Sequence, residues 1–347
     1  MTMRKSGTKK PSLKRSVSSK SFTVGIDLGG TKVAAALVDF EGRIVKETRR
    51  PTVPPWMADQ DVRKATAAPT TARVRKHIEY VISAMGDAVE ECIGDMKKSI
   101  DGIGLASAGP MNIDDGTLDY PTSFKGWKVV PIVKLLEENL RSRGLRYSVP
   151  FQNDAIAAAL GEGWIGRAAG CNTYAMITVG TGIGSGVIFN GRPAQSGGMG
   201  SEWGHLMCNA PGISGDTENF YDRSVEGIAS GTGIIRRAQK RGYKGSSTTE
   251  LAKEAQAGNA LALELFANCS EALASLLYSL SLGFHPEKFV FSGGMLKIKD
   301  LFLPRTISLY KELIKLKNPK FMADVQVAKL GTEAGVIGAA YLPHMVD

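Results

Sequence analysis

Apolar runs separated by glycine-rich loops recur in two stretches of the chain. In the first stretch, an apolar run at residues 22–27 meets a glycine-rich loop and resumes at residues 33–38. The polar turn at residues 39–42 then leads into residues 43–45. Apolar runs of this length on either side of a short polar turn predict a β-hairpin. A Rossmann dinucleotide site has a helix directly after its glycines, so the pattern argues against that fold.

The region between the two stretches also has clear local signals. Four prolines make residues 51–70 a loop, and apolar residues at helical spacing follow at residues 74–96. Residues 100–106 are an apolar run ahead of Gly109 and Pro110, which predicts a buried strand.

The second stretch repeats the order of the first. An apolar run at residues 149–152 leads through Asn153 and Asp154 into a helix of small residues at 155–163. A further pair of apolar runs then encloses another glycine-rich loop, at residues 173–179 and 184–189. Because strand, glycine loop and strand occur twice in the same order, the pattern predicts an α/β fold. Two β-β-β-α-β-α halves folded around a cleft would explain the repeat.

Three glycine-rich segments follow or end apolar runs, at residues 24–32, 178–186 and 291–295. Glycine lets the backbone turn sharply and present several N–H groups to an anion without a Cβ in the way. A strand that ends in such a loop can therefore hold a phosphate. Two such loops in different halves of the chain predict a nucleotide held across a cleft.

Size and charge narrow the class of protein. With 347 residues, of which 43% are hydrophobic and 22% charged, the chain is long enough for two domains. Residues 1–20 contain seven Lys or Arg and no acid, which leaves 36 basic and 34 acidic residues, or +2, in the rest. A folded domain that binds nucleic acid would remain strongly basic when the tail is left out of the count. Because the rest of the chain is nearly neutral, no specific nucleic-acid partner is expected. We interpret residues 1–21 as a disordered basic tail, either merely solvated or weakly anion-binding.

The cysteines and the apolar runs bear on location. No apolar run approaches the 18 residues of a membrane span, so no membrane partner is expected. The four cysteines form no Cys-x-x-Cys pair, which fits reduced thiols in a cytoplasmic protein: Cys92, Cys171, Cys208 and Cys269.

Six motifs together resemble the ROK group of bacterial sugar kinases and repressors, within the actin-like ATPase superfamily. They lie at residues 27–32, 153–154, 180–184, 202–205, 226–231 and 331–339. The resemblance covers about residues 22–342 and implies two ribonuclease-H-like lobes around a central cleft, with the last helix crossing back to the first lobe. It implies a small lobe of residues 22–149 plus 332–347, a large lobe of residues 150–331, and a homodimer.

Two aspartates are the candidates for the chemistry. From the residues alone, Asp154 is equally a general base at the bottom of a cleft or the N-cap of the following helix. The resemblance implies the base, with Asn153 as its sugar-binding neighbour. Asp27 precedes two glycines, and an acid beside a phosphate loop needs a cation, so we expect it to orient Mg²⁺ through water. A turn-forming role is the alternative for Asp27.

The resemblance also implies the ligand contacts. ATP would be bound by Asp27, Gly29, Gly30, Thr31, Lys32, Gly180, Thr181, Gly182, Gly293 and Gly294. The sugar would be bound by Asn153, Asp154, Glu202, His205, Glu226, Gly109 and Ser123. Carboxylates can accept hydrogen bonds from the hydroxyl groups of a sugar. They also discriminate between sugars, because a buried polar group that is left without a partner costs free energy. Ser123 stands where many ROK kinases have Asn, which loosens one contact and weakens the expectation of glucose in particular.

The chain departs from its family at a zinc site. Most members have three cysteines before the residue that matches Glu226, and a histidine as the fourth ligand. Ser224, Asn219 and Thr217 stand at the cysteine positions here, so only His205 remains. Scattered oxygen ligands are poor for structural zinc, so no zinc is expected even from the remaining candidates, Cys208, Asp216 and Asp222.

The resemblance implies an ATP-dependent hexose kinase, with glucose the leading substrate. An N-acylhexosamine or fructose as acceptor, and polyphosphate as donor, are alternatives. A sugar-sensing repressor is the other branch of the family. Its helix-turn-helix module needs about 60 residues before the first glycine loop, and only 21 precede Phe22.

Overall fold

Two five-stranded sheets organise the chain, one in each half. The computed structural model describes residues 21–58, 70–95, 100–198, 200–208 and 220–345. The first sheet has the spatial order β3-β2-β1-β4-β8, with β4 and β8 parallel to β1 and the other pairs antiparallel. Its strands are β1 (Phe22–Leu28), β2 (Lys32–Asp39), β3 (Ile44–Pro51), β4 (Ile100–Ser107) and β8 (Phe151–Asn153).

Helices and a small sheet complete the first lobe. The helices are α1 (Pro55–Ala58), α2 (Thr71–Ile93) and α3 (Ile132–Ser142), and the small sheet contains β5 (Met111–Asn112), β6 (Thr117–Asp119) and β7 (Val129–Val130). Thr70 caps α2, because its side chain accepts a hydrogen bond from the Arg73 N–H. The core of this lobe lies between α2, α3 and the sheet.

The second sheet repeats the first strand for strand, in the order β11-β10-β9-β12-β13. Its strands are β9 (Tyr174–Val179), β10 (Ile183–Phe189), β11 (Arg192–Pro193), β12 (Lys288–Ser292) and β13 (Asp324–Val327). Its helices are α5 (Val225–Ala229), α6 (Gly231–Lys240), α7 (Thr248–Gln256), α8 (Ala260–Phe284) and α9 (Leu303–Lys317). The predicted α/β class, the duplicated hairpins and the two lobes are therefore confirmed.

Two helices, α4 (Asp154–Trp164) and α10 (Ala334–Tyr341), connect the lobes. Helix α4 follows the last strand of the first sheet but packs on β9 and β10, and α10 follows the last strand of the second sheet but packs on β1 and β4. The two helices also pack on each other. A Cβ on Gly338 would lie 1.6 Å from the Ala157 carbonyl oxygen, and one on Gly161 would lie 2.5 Å from that of Ala334. Only glycine permits such close backbone contact.

Helix α8 is the core helix of the second lobe. Its side chains Leu273, Leu276 and Leu277 are fully buried in the largest apolar cluster. By length and composition this helix could span a membrane, a property that the sequence analysis missed. Core helices of globular lobes pass the same test, and most of its apolar window is buried within the protein.

The lobe boundaries taken from the resemblance stay a prediction. Strand β8 pairs with β4, so the first sheet extends to Asn153, a few residues beyond the predicted limit at 149. The predicted return of the chain to the first lobe agrees with the packing of α10 on β1 and β4. Apart from Ser21, the predicted basic tail at residues 1–21 lies outside the described residues.

We expect Gly338→Ala to destabilise the protein by about 3 kcal/mol, because the new methyl group would collide with the backbone of α4. Gly283→Ala is the matched control. A Cβ at Gly283 in α8 meets nothing within 4 Å, so alanine should stabilise the helix by about 0.5–1 kcal/mol. Urea unfolding of both variants measures the difference. Equal stability would contradict the tight crossing of α4 and α10.

Candidate active site

The carboxyl ends of parallel strands in both sheets face one cleft. Asp27 is the next-to-last residue of β1 and Asn153 is the last residue of β8, and these two strands flank β4 in the first sheet. Ser292 at the end of β12 is in register with Thr178 of β9, so the glycine loops that follow these strands are neighbours. The cleft has a volume of about 980 Å³. A cleft at the carboxyl ends of parallel strands is the usual ligand site of α/β proteins.

Most of the predicted site residues line this cleft: Asp27, Gly109, Ser123, Asn153, Asp154, Gly180, Thr181, Gly182, Glu202, His205 and Glu226. Six predicted nucleotide contacts are not among the lining residues: Gly29, Gly30, Thr31, Lys32, Gly293 and Gly294. The sequence analysis missed other lining residues, including Thr178, Ser185 and Ser292. Thr178 and Ser292 lie in the second and third glycine-rich segments, a position that could have revealed them.

Asp154 is the first residue of α4, and Asn153 is the N-cap. The Asn153 Oδ1 accepts hydrogen bonds from the N–H groups of Ala155 at 2.9 Å and Ile156 at 3.3 Å. The capping role that we considered for Asp154 is therefore taken by its neighbour. The Asp154 side chain is exposed to the cleft. Desolvation by the cleft walls raises its pKa, and backbone N–H groups of Ala155 and Asp154 itself partly oppose that rise.

Asp27 shares the floor of the cleft with Asp154. Burial raises the pKa of Asp27 to about 6, the charge of Asp154 adds to the rise, and Lys32 opposes it. A Cβ on Gly335, near the start of α10, would lie 3.0 Å from the Asp27 Oδ2, so glycine leaves room for this carboxylate. Two carboxylates that repel each other in a partly desolvated cleft fit a divalent cation, and Mg²⁺ typically takes one or two carboxylates plus substrate phosphates.

The first glycine loop is held by Thr52. The Gly29 N–H donates to the Lys32 carbonyl at 3.0 Å, which closes the turn. The Thr52 hydroxyl donates to the Gly29 carbonyl at 3.2 Å, and the Thr52 N–H donates to the Thr31 carbonyl at 3.0 Å. A Cβ on Gly30 would lie 3.0 Å from Ser123, so this loop lies against a residue of the cleft wall.

The second glycine loop lies over the start of α6. The Gly180 N–H donates to the Gly182 carbonyl at 2.9 Å, and the Gly180 carbonyl accepts from the Gly231 N–H at 2.7 Å. The third loop packs against this one. Gly293 has a φ of +101°, and a Cβ there would lie 2.3 Å from the Val179 carbonyl oxygen. These loops can turn and pack in this way because their residues are glycines.

Three polar side chains form the opposite wall of the cleft. Glu202 precedes the short helical turn Trp203–His205 and His205 ends it, and both side chains are exposed to the cleft. The Glu226 Oε2 accepts a hydrogen bond from the Ile183 N–H at 2.7 Å. A Cβ on Gly182 would lie 2.5 Å from the same oxygen. Glu226 therefore contacts the second glycine loop as well as the cleft.

The positions of the family's zinc ligands have other partners in the described residues. Ser224 caps α5, because its Oγ accepts from the Gly227 N–H at 3.0 Å. Burial raises the pKa of the Cys208 thiol to about 11, which disfavours the thiolate that zinc requires. The Asp222 carboxylate pairs with two cations. In the described ranges no three His, Cys, Asp or Glu side chains lie close enough to hold a metal. Asp216, Thr217 and Asn219 lie outside the described residues.

Known proteins resemble the chain over nearly its full length. The ROK family model matches residues 23–345. A glucokinase of Halalkalibacterium halodurans is 30% identical over 93% of this chain and 95% of its own. The ROK hexokinase of Thermus thermophilus has a TM-score of 0.76 at 29% identity, over 93% of this chain and 98% of that one. A ROK family glucokinase from Streptomyces griseus, solved with glucose and AMPPNP, has a TM-score of 0.65 at 26% identity, over 94% and 100%.

Two lobes of one topology around a cleft with glycine loops, together with these relatives, define a sugar kinase with the actin-like ATPase fold. Sugar kinases are phosphotransferases with an alcohol group as acceptor. The chain belongs to the ROK family. The resemblance identified from the six motifs is thereby confirmed.

We expect the purified protein to contain less than one zinc per chain and to keep its melting temperature when treated with a chelator. The physical reason is that the cysteine positions hold Thr, Asn and Ser, which are poor zinc ligands. Elemental analysis and thermal unfolding with and without chelator measure both quantities. One zinc per chain that is lost together with stability would contradict this expectation.

Proposed function

We propose that the protein transfers the γ-phosphoryl group of ATP to a hydroxyl of a hexose, with glucose as the leading substrate and glucose 6-phosphate as product. The observation that carries the proposal is the position of Asp154. Its carboxylate lies in one cleft with the second glycine loop and with the polar wall of Glu202, His205 and Glu226. The glucokinase relative and the glucose and AMPPNP bound to the Streptomyces griseus enzyme support the choice of substrates.

Asp154 acts as the general base in this proposal. It accepts the proton of the sugar hydroxyl while the hydroxyl oxygen forms a bond to the γ-phosphorus and the bond to the bridging oxygen of ADP breaks. Desolvation raises the pKa of Asp154, which makes its carboxylate a stronger base. Phosphoryl transfer otherwise depends on positioning and on stabilising the negative charge of the phosphate. The backbone N–H groups of the second loop supply that stabilisation.

Asp27 is proposed to hold Mg²⁺ through water. When bound, Mg²⁺ neutralises part of the charge on the β- and γ-phosphates. Asp27 would orient the ion's water ligands, and the charge of the ion would offset repulsion between its carboxylate and the phosphates. The predicted contacts of Gly29, Gly30, Thr31 and Lys32, and of Gly293 and Gly294, remain part of the proposal.

Glu202, His205 and Glu226 are proposed to bind the sugar hydroxyls, with Asn153, Gly109 and Ser123 on the facing wall. The Asn153 carbonyl oxygen is used in capping α4, so its amide NH₂ group is left to donate to a hydroxyl. That nitrogen lies 3.9 Å from where a Gly109 Cβ would be. Fructose, an N-acylhexosamine and polyphosphate stay alternatives. A panel of hexoses with ATP and with polyphosphate, measured by phosphate transfer, tests them.

Location and assembly are also proposals. Cys92, Cys171, Cys208 and Cys269 are all free thiols, which supports a reducing, cytoplasmic compartment. The homodimer implied by the resemblance stays a prediction, which light scattering on the purified protein tests.

We expect Asp154→Asn to lower kcat by about 10²- to 10⁴-fold while sugar binding and stability stay close to the parent's. The change is isosteric and removes the proton acceptor. Steady-state kinetics and sugar titration measure it. Asp300→Asn is the matched control, because the Asp300 side chain is 89% exposed and is not among the residues that line the cleft. Full activity of Asp154→Asn would overturn the assignment.

Because the pKa of Asp27 is raised, we expect that replacing this residue stabilises the protein but lowers its activity. An acid whose folded-state pKa lies above the unfolded value destabilises the folded state most at high pH; this penalty begins to decrease as the pH falls through about 6 and is lost only below the unfolded value of 3.8. We therefore expect Asp27→Asn to stabilise the protein by about 1–3 kcal/mol at pH 8, by roughly half as much at pH 5, and by little below the unfolded value of 3.8. Its kinase activity should fall strongly at both pH values. Thermal unfolding across this pH range is the measurement, and a pH-independent difference would contradict the pKa argument.

A further inference from the structure

An ionic cluster forms around the buried Asp222 carboxylate, next to the polar wall of the cleft. Asp222 is in the helical turn Phe220–Arg223, and its side chain is only 10% exposed. Its carboxylate pairs with Arg236 and, at 2.9 Å, with the Lys240 Nζ, both on α6. A carboxylate so far from water needs such partners, and removing one of them leaves an uncompensated charge.

The same cluster reaches Glu226 through Tyr221. The Arg236 guanidinium carbon lies 4.6 Å from the centre of the Tyr221 ring, a cation–π contact. The Tyr221 hydroxyl donates a hydrogen bond to the Glu226 carboxylate. Burial, together with this hydrogen bond and the charge of Glu226, raises the pKa of Tyr221 to about 12, so the hydroxyl stays a donor at any physiological pH. A continuous set of contacts therefore runs from α6 to a residue of the cleft wall.

The backbone on both sides of the cluster is joined as well. The Cys208 N–H donates to the Arg223 carbonyl at 2.9 Å, and the Val225 N–H donates to the Leu206 carbonyl at 2.9 Å. These bonds connect the segment that follows His205 with the segment that leads into Glu226. Whatever fixes Asp222 and Tyr221 thus also limits movement of the segment next to His205.

We infer that Tyr221, Asp222, Arg236 and Lys240 form a polar brace that positions the Glu226 carboxylate for sugar binding. The brace occupies the part of the chain where the resemblance implies a zinc site and where the thiols are missing. It fixes Glu226 from behind through the Tyr221 hydroxyl, while the Ile183 N–H fixes it from the glycine loop. An ionised carboxylate accepts about four hydrogen bonds, so positions remain for sugar hydroxyls. The inference rests on the proposed role of Glu226 as a sugar ligand.

The brace predicts a selective kinetic effect. Tyr221→Phe removes one hydrogen bond to Glu226 and keeps the ring that stacks on Arg236. We expect it to raise the KM for the sugar by about 3- to 10-fold, with kcat and the KM for ATP within about twofold of the parent. Asp222→Asn should raise the same KM at least as much, because it also releases Arg236 and Lys240.

Glu264→Gln is the matched control. Glu264 pairs with Arg241, just beyond the end of α6, but this pair is about half exposed and is separate from the ion pairs of Asp222. An exposed ion pair contributes little to the stability of the folded protein, so its loss should leave the KM values for the sugar and for ATP unchanged. An increase in the KM for the sugar with Glu264→Gln equal to that with Tyr221→Phe would overturn the brace.

Hydrogen exchange separates the brace from the proposed activity. The Ile183 N–H is protected by its bond to Glu226, so a looser Glu226 should speed exchange at Ile183 in Tyr221→Phe and Asp222→Asn but not in Glu264→Gln. This measurement needs neither sugar nor ATP. Absence of sugar phosphorylation by the parent protein would overturn the proposed function. Unchanged exchange at Ile183 in Tyr221→Phe, together with an unchanged KM for the sugar, would overturn the brace.

Discussion

The close crossing of α4 and α10 is the contact on which the two-lobed arrangement depends. Each helix follows a strand of one sheet in the chain and packs on the other sheet, so the geometry of the cleft depends on this crossing. Glycines at 161 and 338 let the two backbones touch. Glu162 then fastens the crossing from within. Its side chain is fully buried, and its carboxylate accepts hydrogen bonds from the N–H groups of Arg167, Lys329 and Leu330 at 2.7–2.9 Å. Since backbone donors to a carboxylate satisfy it without a counterion, α4 is tied to the segment that leads into α10.

The same two helices place the acidic groups of the cleft. Asp154 begins α4, and Gly335 in the first turn of α10 lies against Asp27, so the helices that join the lobes start where the chemistry is proposed to occur. Positions at helix N-termini favour negative charge, which partly offsets the mutual repulsion of the two carboxylates. The pKa of Asp27 is nevertheless raised, chiefly by burial and in smaller part by the charge of Asp154.

Much of the fold could be predicted because its signals are local. The glycine loops, the hairpin after residue 22 and the helix after Asp154 each depend on residues that are neighbours in sequence. Other features depend on contacts that spacing does not encode. Asn153 and Asp154 are both good N-cap residues, and only the backbone geometry decides that Asn153 caps α4. The pairing of β8 with β4, and of Asp222 with α6, joins segments whose sequences contain no sign of each other. The apolar length of α8 was visible in the sequence but was interrupted by small polar residues, and it was overlooked for that reason.

The polar brace and a structural metal are not physically equivalent. Metal binding to a zinc site contributes about 10–16 kcal/mol in small peptides, whereas removing one partner of a buried ion pair costs about 3–5 kcal/mol and the intact pair has little net effect on stability. A brace of this kind therefore cannot fold the segment by itself. Here α5 supplies the remaining stabilisation, because Val225 and Ile228 on either side of Glu226 are buried against the core that surrounds α8. The hydrophobic contacts hold the helix in place, and the ionic and tyrosine contacts then determine the direction in which Glu226 points.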